Sequence, residues 1–205
     1  SCSRQGDSAY LIHAQFPWIQ QRLTMSNIIL PENFSPQERA QKAMNLFKQG
    51  YNCTQSVVLA FADVLESSGL ADEQLLKIIG SGFGGGMGRL REVCGAFSAC
   101  TMMAGFISPA DVPADMTARK SNYAIVQEFA EQFKNANGGS IVCRELLGLG
   151  RQSQVESPAP SERTPDYYRK RPCVQIIGEA ARFLINNGRG CKLTASSVIL
   201  ELPIR

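Results

Sequence analysis

The amino-acid sequence predicts an all-α fold, a compact bundle of about six to seven helices that contains one glycine-rich connector. Two observations predict this class. Apolar residues recur at helical spacing through most of the middle of the chain, and no two segments show the alternation expected of paired strands. The 205 residues are 44% hydrophobic and 19% charged, a composition that favours one globular domain with a real core over a disordered chain.

The first three helices are predicted from their start signals and apolar stripes. Ser35-Pro-Gln-Glu38 combines a serine N-cap, a proline in the first turn and a glutamate three residues after the serine. Gly50 ends the helix that follows. A second helix is predicted over residues 53–66, and a third begins near Asp72.

A glycine-rich connector then interrupts the helical pattern. Six of the nine residues from 80 to 88 are glycines, and a regular helix there would carry a large entropic cost. Further on, residues 150–171 are rich in proline, serine and charge, which predicts an irregular connection. The remaining predicted helices span about residues 94–107, 114–135, 140–147 and 173–186.

The sequence predicts a single domain over residues 25–190. Residues 1–24 have no clean period and are expected to be a non-native or disordered extension, and residues 191–205 are expected to be an unanchored tail. The chemistry-bearing residues of these two segments are therefore left out of the functional argument. They are Cys2, His13 and Cys191.

Charge and hydropathy exclude several classes of protein. The net charge is +3 with acids and bases mixed along the chain, so nucleic-acid binding has no electrostatic support. The longest apolar runs are far short of a membrane span. No segment has the pattern of a signal peptide, and we therefore expect a cytoplasmic protein.

The seven cysteines are the most informative residues in the chain. Their odd number, wide spacing and lack of an export signal argue against a secreted disulfide framework. They favour an intracellular protein whose thiols are reactive, bind metal or are simply buried. No CxxC is present, so any joint cysteine site has to be assembled by the fold.

Four of the cysteines fall in the first turn of a predicted helix. Unpaired N–H groups and the positive end of the helix dipole favour a thiolate there, and the thiolate is the form that attacks, oxidises and binds metal. Cys100 lies instead within an apolar run and is expected to be a core residue. The four candidate catalytic residues are Cys53, Cys94, Cys143 and Cys173.

Cys94 is expected to be the most activated of the four. The glycine-rich connector before it would let a partner approach its backbone, and the nearby Arg89 and Arg91 would favour the thiolate. The connector is also expected to shape the cysteine site and to contribute to cofactor binding. The residues assigned to that role are Gly84, Gly85, Gly86 and Arg89.

Several motifs in the chain resemble those of the C_GCAxxG_C_C family, a group of bacterial and archaeal proteins described as redox-active, with four characteristic cysteines and a CGAxxG motif. The resemblance extends over residues 35–188. One departure is Ala99, which stands where the family has the last glycine of that motif. The motifs that carry the resemblance are Gly50-Tyr-Asn-Cys53, Gly82-Phe-Gly-Gly-Gly-Met-Gly-Arg89, Val93-Cys-Gly-Ala96 and Cys143-Arg-Glu-Leu-Leu-Gly148.

The resemblance maps the family's cysteines onto the same four residues and implies redox activity without naming a substrate. The family is also similar to a domain of split-Soret-type cytochromes, which implies an iron–sulfur cluster. This chain has no CxxCH, so haem attachment is not supported.

Three functions remain open from the sequence. The first is a thiol-based redox protein, an oxidoreductase in which two or more of the cysteines cycle between thiol and disulfide with an unknown redox partner. The second is an iron–sulfur or zinc protein in which the same four cysteines are the metal ligands. The third is a non-enzymatic structural or interaction role, and a homodimer is compatible with each of the three.

A fourth function, nucleotide binding, is disfavoured. Residues 80–85 match G-x-G-x-x-G, but the residues before them are helical in pattern, whereas that fingerprint needs a preceding strand.

The arrangement of the four cysteine sulfurs in the fold distinguishes the three functions that remain open. One close pair of sulfurs with a second pair nearby favours disulfide exchange, convergence of all four on one point favours a metal, and scattered cysteines favour neither.

Overall fold

The computed structural model describes residue 28, residues 34–150 and residues 156–190. The predictions made for residues 1–24 and 191–205, including those for Cys2, His13 and Cys191, lie outside the described residues. The boundaries of the predicted domain therefore stay a prediction.

The described residues form nine α-helices and no strand, which confirms the all-α class. A short 3₁₀ turn, Ser81–Phe83, opens the glycine-rich segment. The helices are α1 Pro36–Lys48, α2 Cys53–Leu59, α3 Ala62–Ser67, α4 Glu73–Ile79, α5 Gly95–Ile107, α6 Met116–Ala136, α7 Cys143–Leu146, α8 Pro165–Lys170 and α9 Cys173–Gly190.

The count exceeds the predicted six to seven for two local reasons. The single helix predicted over residues 53–66 is broken after Leu59, where Ala60 and Phe61 each donate to the carbonyl three residues earlier. Such i→i+3 bonds tighten and end an α-helix. The second reason is α8, which lies in the connection predicted to be irregular. Thr164 caps it by accepting from the Tyr167 N–H, and proline occupies its first turn.

The hydrophobic core lies where α1, α2, α5 and α9 meet, with α6 packed on the side of α5. Phe47 of α1 and Ile177 of α9 are almost completely buried there. Phe97 of α5 packs against Phe133 of α6 with ring centroids 5.5 Å apart. Burial of these side chains supplies most of the driving force for folding and fixes the helix ends around the cysteines.

The glycine-rich connector is a tightly bonded turn. Its backbone is left-handed at six of the seven positions from 85 to 91, including the non-glycine residues Met87, Arg89 and Arg91. Left-handed backbone is uncommon for residues with a side chain, and it persists only where the surroundings enforce it. Here the enforcing contacts include backbone hydrogen bonds from Arg91 to Gly85 and from Glu92 to Gly86.

This turn ends in an isolated antiparallel bridge between Val93 and Val142. On one side of the bridge the Cys94 N–H donates to the Ile141 carbonyl over 2.8 Å. On the other side the Cys143 N–H donates to the Glu92 carbonyl over 2.6 Å. The bridge therefore brings together two of the candidate cysteines that are 49 residues apart in the sequence.

The Gly86→Ala substitution tests whether the turn positions Cys143. Gly86 has φ +73°, and a Cβ there would lie 2.6 Å from the Cys143 Cβ and 2.9 Å from the Arg91 Cα. We expect a loss of about 2–4 kcal/mol in the free energy of unfolding by urea titration, the sum of the left-handed backbone cost and the steric overlap.

The matched control is Gly148→Ala. Gly148 is also left-handed, with φ +64°, but has nothing within 4 Å of an added Cβ. It is expected to lose only about 1 kcal/mol. Equal losses in the two variants would contradict the proposed contact between the turn and Cys143.

Candidate functional site

The structure brings the four predicted cysteines to one place. They line a single small cavity that apolar side chains close on one side, among them Leu146, Ile176 and Ile177. The cavity volume is about 20 Å³, enough for roughly one water molecule. Cys100 is not part of this cavity and is buried in the core, as predicted. The residues that meet at the cavity are Cys53, Cys94, Cys143 and Cys173.

Each of the four sulfurs is carried at the N-terminal end of a helix, which confirms the placement predicted from the sequence. Cys53, Cys143 and Cys173 are the first residues of α2, α7 and α9, and Cys94 is the residue before α5. The backbone N–H groups of Ala96 and Phe97 face the Cys94 sulfur and act to lower its pKa. Such donors stabilise a thiolate more than a thiol.

Polar side chains fix the start of α2 against the start of α5. Asn52 and Gln55 form a capping box, each side chain accepting from the backbone N–H of the other residue. The Thr54 hydroxyl donates to the Gly95 carbonyl over 2.7 Å. A Cβ on Gly95 would lie only 3.0 Å from the Cys53 Cβ, so glycine lets these two helix ends approach.

Arg91 is a buried charged residue beside Cys143. Its side chain is 6% exposed, and it makes two hydrogen bonds to the Glu156 carboxylate, of 2.7 and 2.6 Å. Its guanidinium also interacts with the Cys143 thiol and acts to lower the pKa of that thiol. Arg89 binds the same carboxylate and the Ser157 carbonyl, each over 2.8 Å. The two arginines thus hold the segment that begins at residue 156 against the glycine-rich turn.

These contacts differ from the expectation that both arginines would charge the surroundings of Cys94. The left-handed turn carries Arg91 to Cys143 and Arg89 to the 156–161 segment. The glycines assigned to cofactor binding do not line the cavity. Gly84 lies against Asn52, and Gly86 lies against Cys143. Their cofactor-binding role stays a prediction, and the observed contacts are those of residues that shape the site.

The four thiols divide into an accessible pair and a buried pair. Cys53 and Cys173 are partly exposed, whereas Cys94 and Cys143 are 7% and 8% exposed. The Cys53 and Cys173 side chains line the same cavity and interact, which shifts the pKa values of both thiols. All five cysteines of the described residues are free thiols.

Cys173 is the thiol best placed to ionise. The interaction with Cys53 lowers the pKa of Cys173 to about 7, and the positive charges of Arg171, Arg91 and Arg163 act in the same direction against its partial burial. The pKa of Cys53 is raised well above the ordinary value by its interaction with Cys173 and by partial loss of hydration.

Cys94 is not the activated thiol that the sequence predicted. Burial raises the pKa of Cys94 to about 12 and outweighs the two backbone N–H groups that face its sulfur. Burial also raises the pKa of Cys143, although Arg91 opposes it. A sequence signal that could have pointed to Cys173 as the activated thiol is Arg171, two residues before it in the sequence.

Two findings concern whether the described residues form a metal site or a dinucleotide site. Within residues 34–150 and 156–190, no group of three or more His, Cys, Asp or Glu side chains is arranged to hold a metal ion. The G-x-G-x-x-G match at residues 80–85 follows helix α4 and not a strand, so the context of a dinucleotide site is missing.

Among the described helices, none has the length and apolar character needed to cross a membrane.

The fold and the site define a class, a helical protein in which four distant cysteines converge on one cavity. The family model described as "Putative redox-active protein (C_GCAxxG_C_C)" matches residues 51–186, which contain all four cysteines and more than half of the chain. The chain belongs to the C_GCAxxG_C_C family. No curated protein and no solved structure matches it.

The pH dependence of alkylation tests the assignment of the reactive thiol. Because only the thiolate reacts, the rate of Cys173 modification by iodoacetamide should rise with pH and level off above a midpoint near 7, the pKa to which Cys173 is lowered. Peptide mass spectrometry should locate the label on Cys173 first. A midpoint at or above 9, or first labelling of Cys94, would refute the assignment.

Proposed function

We propose that this protein is a thiol–disulfide redox protein whose working couple is Cys53 and Cys173. The observation that carries the proposal is that these two partly exposed thiols line one cavity and interact there, and that the pKa of Cys173 is lowered. A reactive thiolate with a neighbouring thiol in contact is the arrangement that disulfide exchange needs. The description of the family as redox-active supports the same class of chemistry.

The reaction would proceed in two exchanges. The Cys173 thiolate attacks one sulfur of a substrate disulfide, the S–S bond breaks, and the first substrate thiolate leaves and takes up a proton. Cys53 then loses its proton and attacks the Cys173 sulfur of the mixed disulfide, which releases the second substrate thiol. The protein dithiol is oxidised to a disulfide, and the substrate disulfide is reduced to two thiols.

Cys94 and Cys143 would form the inner wall of the site. Burial raises the pKa of both and favours the thiol form, so neither adds a negative charge behind the working couple. The Arg91–Glu156 pair anchors the loop segment beside Cys143. In this proposal the inner cysteines orient the working couple and do not attack the substrate.

Metal binding by the four cysteines is the second candidate, favoured by their convergence on one cavity. Four thiolates are suitable ligands for zinc or an iron–sulfur cluster. The geometry does not fit a cluster, because a cavity of about 20 Å³ has room for roughly one water molecule. Nor does any group of three or more potential ligands among the described residues form an ion site. We therefore derive no step through a metal.

Cysteine variants test the proposed couple. The wild-type protein mixed with a small disulfide should lose two hydrogens in mass without an adduct. Cys53→Ser should accumulate a mixed disulfide on Cys173, because no second thiol resolves it. Cys173→Ser should react at least about tenfold more slowly, because it lacks the thiolate.

The matched control is Cys100→Ser, which removes a core cysteine outside the cavity and should keep the wild-type rate in the folded protein. A wild-type rate in Cys173→Ser would contradict the proposed couple. Stoichiometric iron or zinc in anaerobically purified protein, lost in Cys173→Ser, would favour the metal function instead.

A further inference from the structure

Two arginines beside Cys173 bind only neutral groups. Arg163 donates to the backbone carbonyls of Phe47 and Tyr51, over 3.1 and 3.3 Å. Its guanidinium lies 4.3 Å from the centroid of the Phe47 ring and 5.2 Å from that of Tyr167. The Arg171 guanidinium lies over the same Tyr167 ring, 4.6 Å from its centroid. The Tyr167 ring therefore interacts with both cations.

No carboxylate in the described part of the chain forms an ion pair with either of these arginines. Other cations around the site do have carboxylate partners. Glu156 pairs with Arg89 and Arg91, and Asp166 pairs with the cations on α8 that follow it. Arg163 and Arg171 are thus two cations near the site that pair with no carboxylate of the described residues.

This positive charge lies at the accessible side of the site. Arg163, Tyr167, Arg171 and Cys173 are all partly exposed. Only Pro172 separates Arg171 from Cys173 along the chain. The positive charges of both arginines favour the thiolate form of Cys173. A molecule that approaches this sulfur therefore meets the two guanidiniums.

We propose that the disulfide attacked by Cys173 carries carboxylates close to its S–S bond, and that Arg163 and Arg171 recognise them. The proposal rests on the thiol–disulfide function proposed above and names its class of substrate. A thiolate and an anionic disulfide repel each other, which slows their reaction. Two uncompensated guanidiniums beside the thiolate offset this repulsion and attract the anionic substrate. The thiol–disulfide exchange follows the two steps given above, and the departing thiolate carries the electron pair of the broken S–S bond.

Three disulfides of similar size and different charge test the proposal. Dithiodipropionate is anionic, bis(hydroxyethyl) disulfide is neutral and cystamine is cationic. Each rate with the wild-type protein is divided by the rate with mercaptoethanol, which removes the intrinsic reactivity of the probe. We expect the normalised rate to be highest for dithiodipropionate and lowest for cystamine, and this preference to shrink as ionic strength rises.

Arg171→Gln should lower the ratio of anionic to neutral rates by about three- to fivefold at low ionic strength. The ratio isolates recognition, because a change in the pKa of Cys173 alters both rates equally. Arg171→Lys should keep most of the preference. The matched control is Arg169→Gln, which removes the same charge from an exposed arginine paired with Asp166 and should leave the ratio unchanged.

The outcomes separate the two proposals. A wild-type protein that reacts through Cys173 without preference among the three disulfides at low salt overturns the inference and leaves the proposed function standing. An unchanged ratio in Arg171→Gln overturns the inference in the same way. Wild-type rates with all three probes in Cys173→Ser would overturn the proposed function.

Discussion

Two segments far apart in the chain, residues 91–94 and 141–144, are held together by backbone hydrogen bonds on either side of the Val93–Val142 bridge. The rest of the site depends on this pairing. Helix α7 has only four residues and could not hold Cys143 in place by its own stability. The left-handed turn before the bridge leaves room for Cys143 only because Gly86 has no side chain. Backbone pairing, rather than core packing, therefore sets the position of Cys143.

The pKa values of cysteines at similar helix N-termini shift in opposite directions. For Cys94 the loss of hydration outweighs the helix N–H groups, and the pKa rises. For Cys173 the interaction with Cys53 and the charges of three arginines outweigh burial, and the pKa falls. A helix N-terminus is thus a weak activator when the sulfur is buried, and side-chain charge and exposure decide which thiol ionises.

The sequence was sufficient to predict the helical class and the placement of four cysteines at helix N-termini, because capping residues and apolar spacing are local signals. It could not predict which thiol is activated. That depends on Arg91 being turned towards Cys143 and on Arg163 reaching the site from a connection with no regular pattern. Convergence of the cysteines was also beyond local signals, because no CxxC links any two of them. The break after Leu59 arises from the tightened hydrogen bonds of the next two residues, which the apolar pattern does not report.

The central claim is that the accessible pair, and not the buried pair, is the redox couple. Peptide mapping of the wild-type protein without reduction, after titration with one equivalent of an oxidant, tests it most directly. The account predicts that the first disulfide joins Cys53 to Cys173 while Cys94 and Cys143 remain thiols. A first disulfide between Cys94 and Cys143, or oxidation that leaves Cys53 and Cys173 both free, would contradict it.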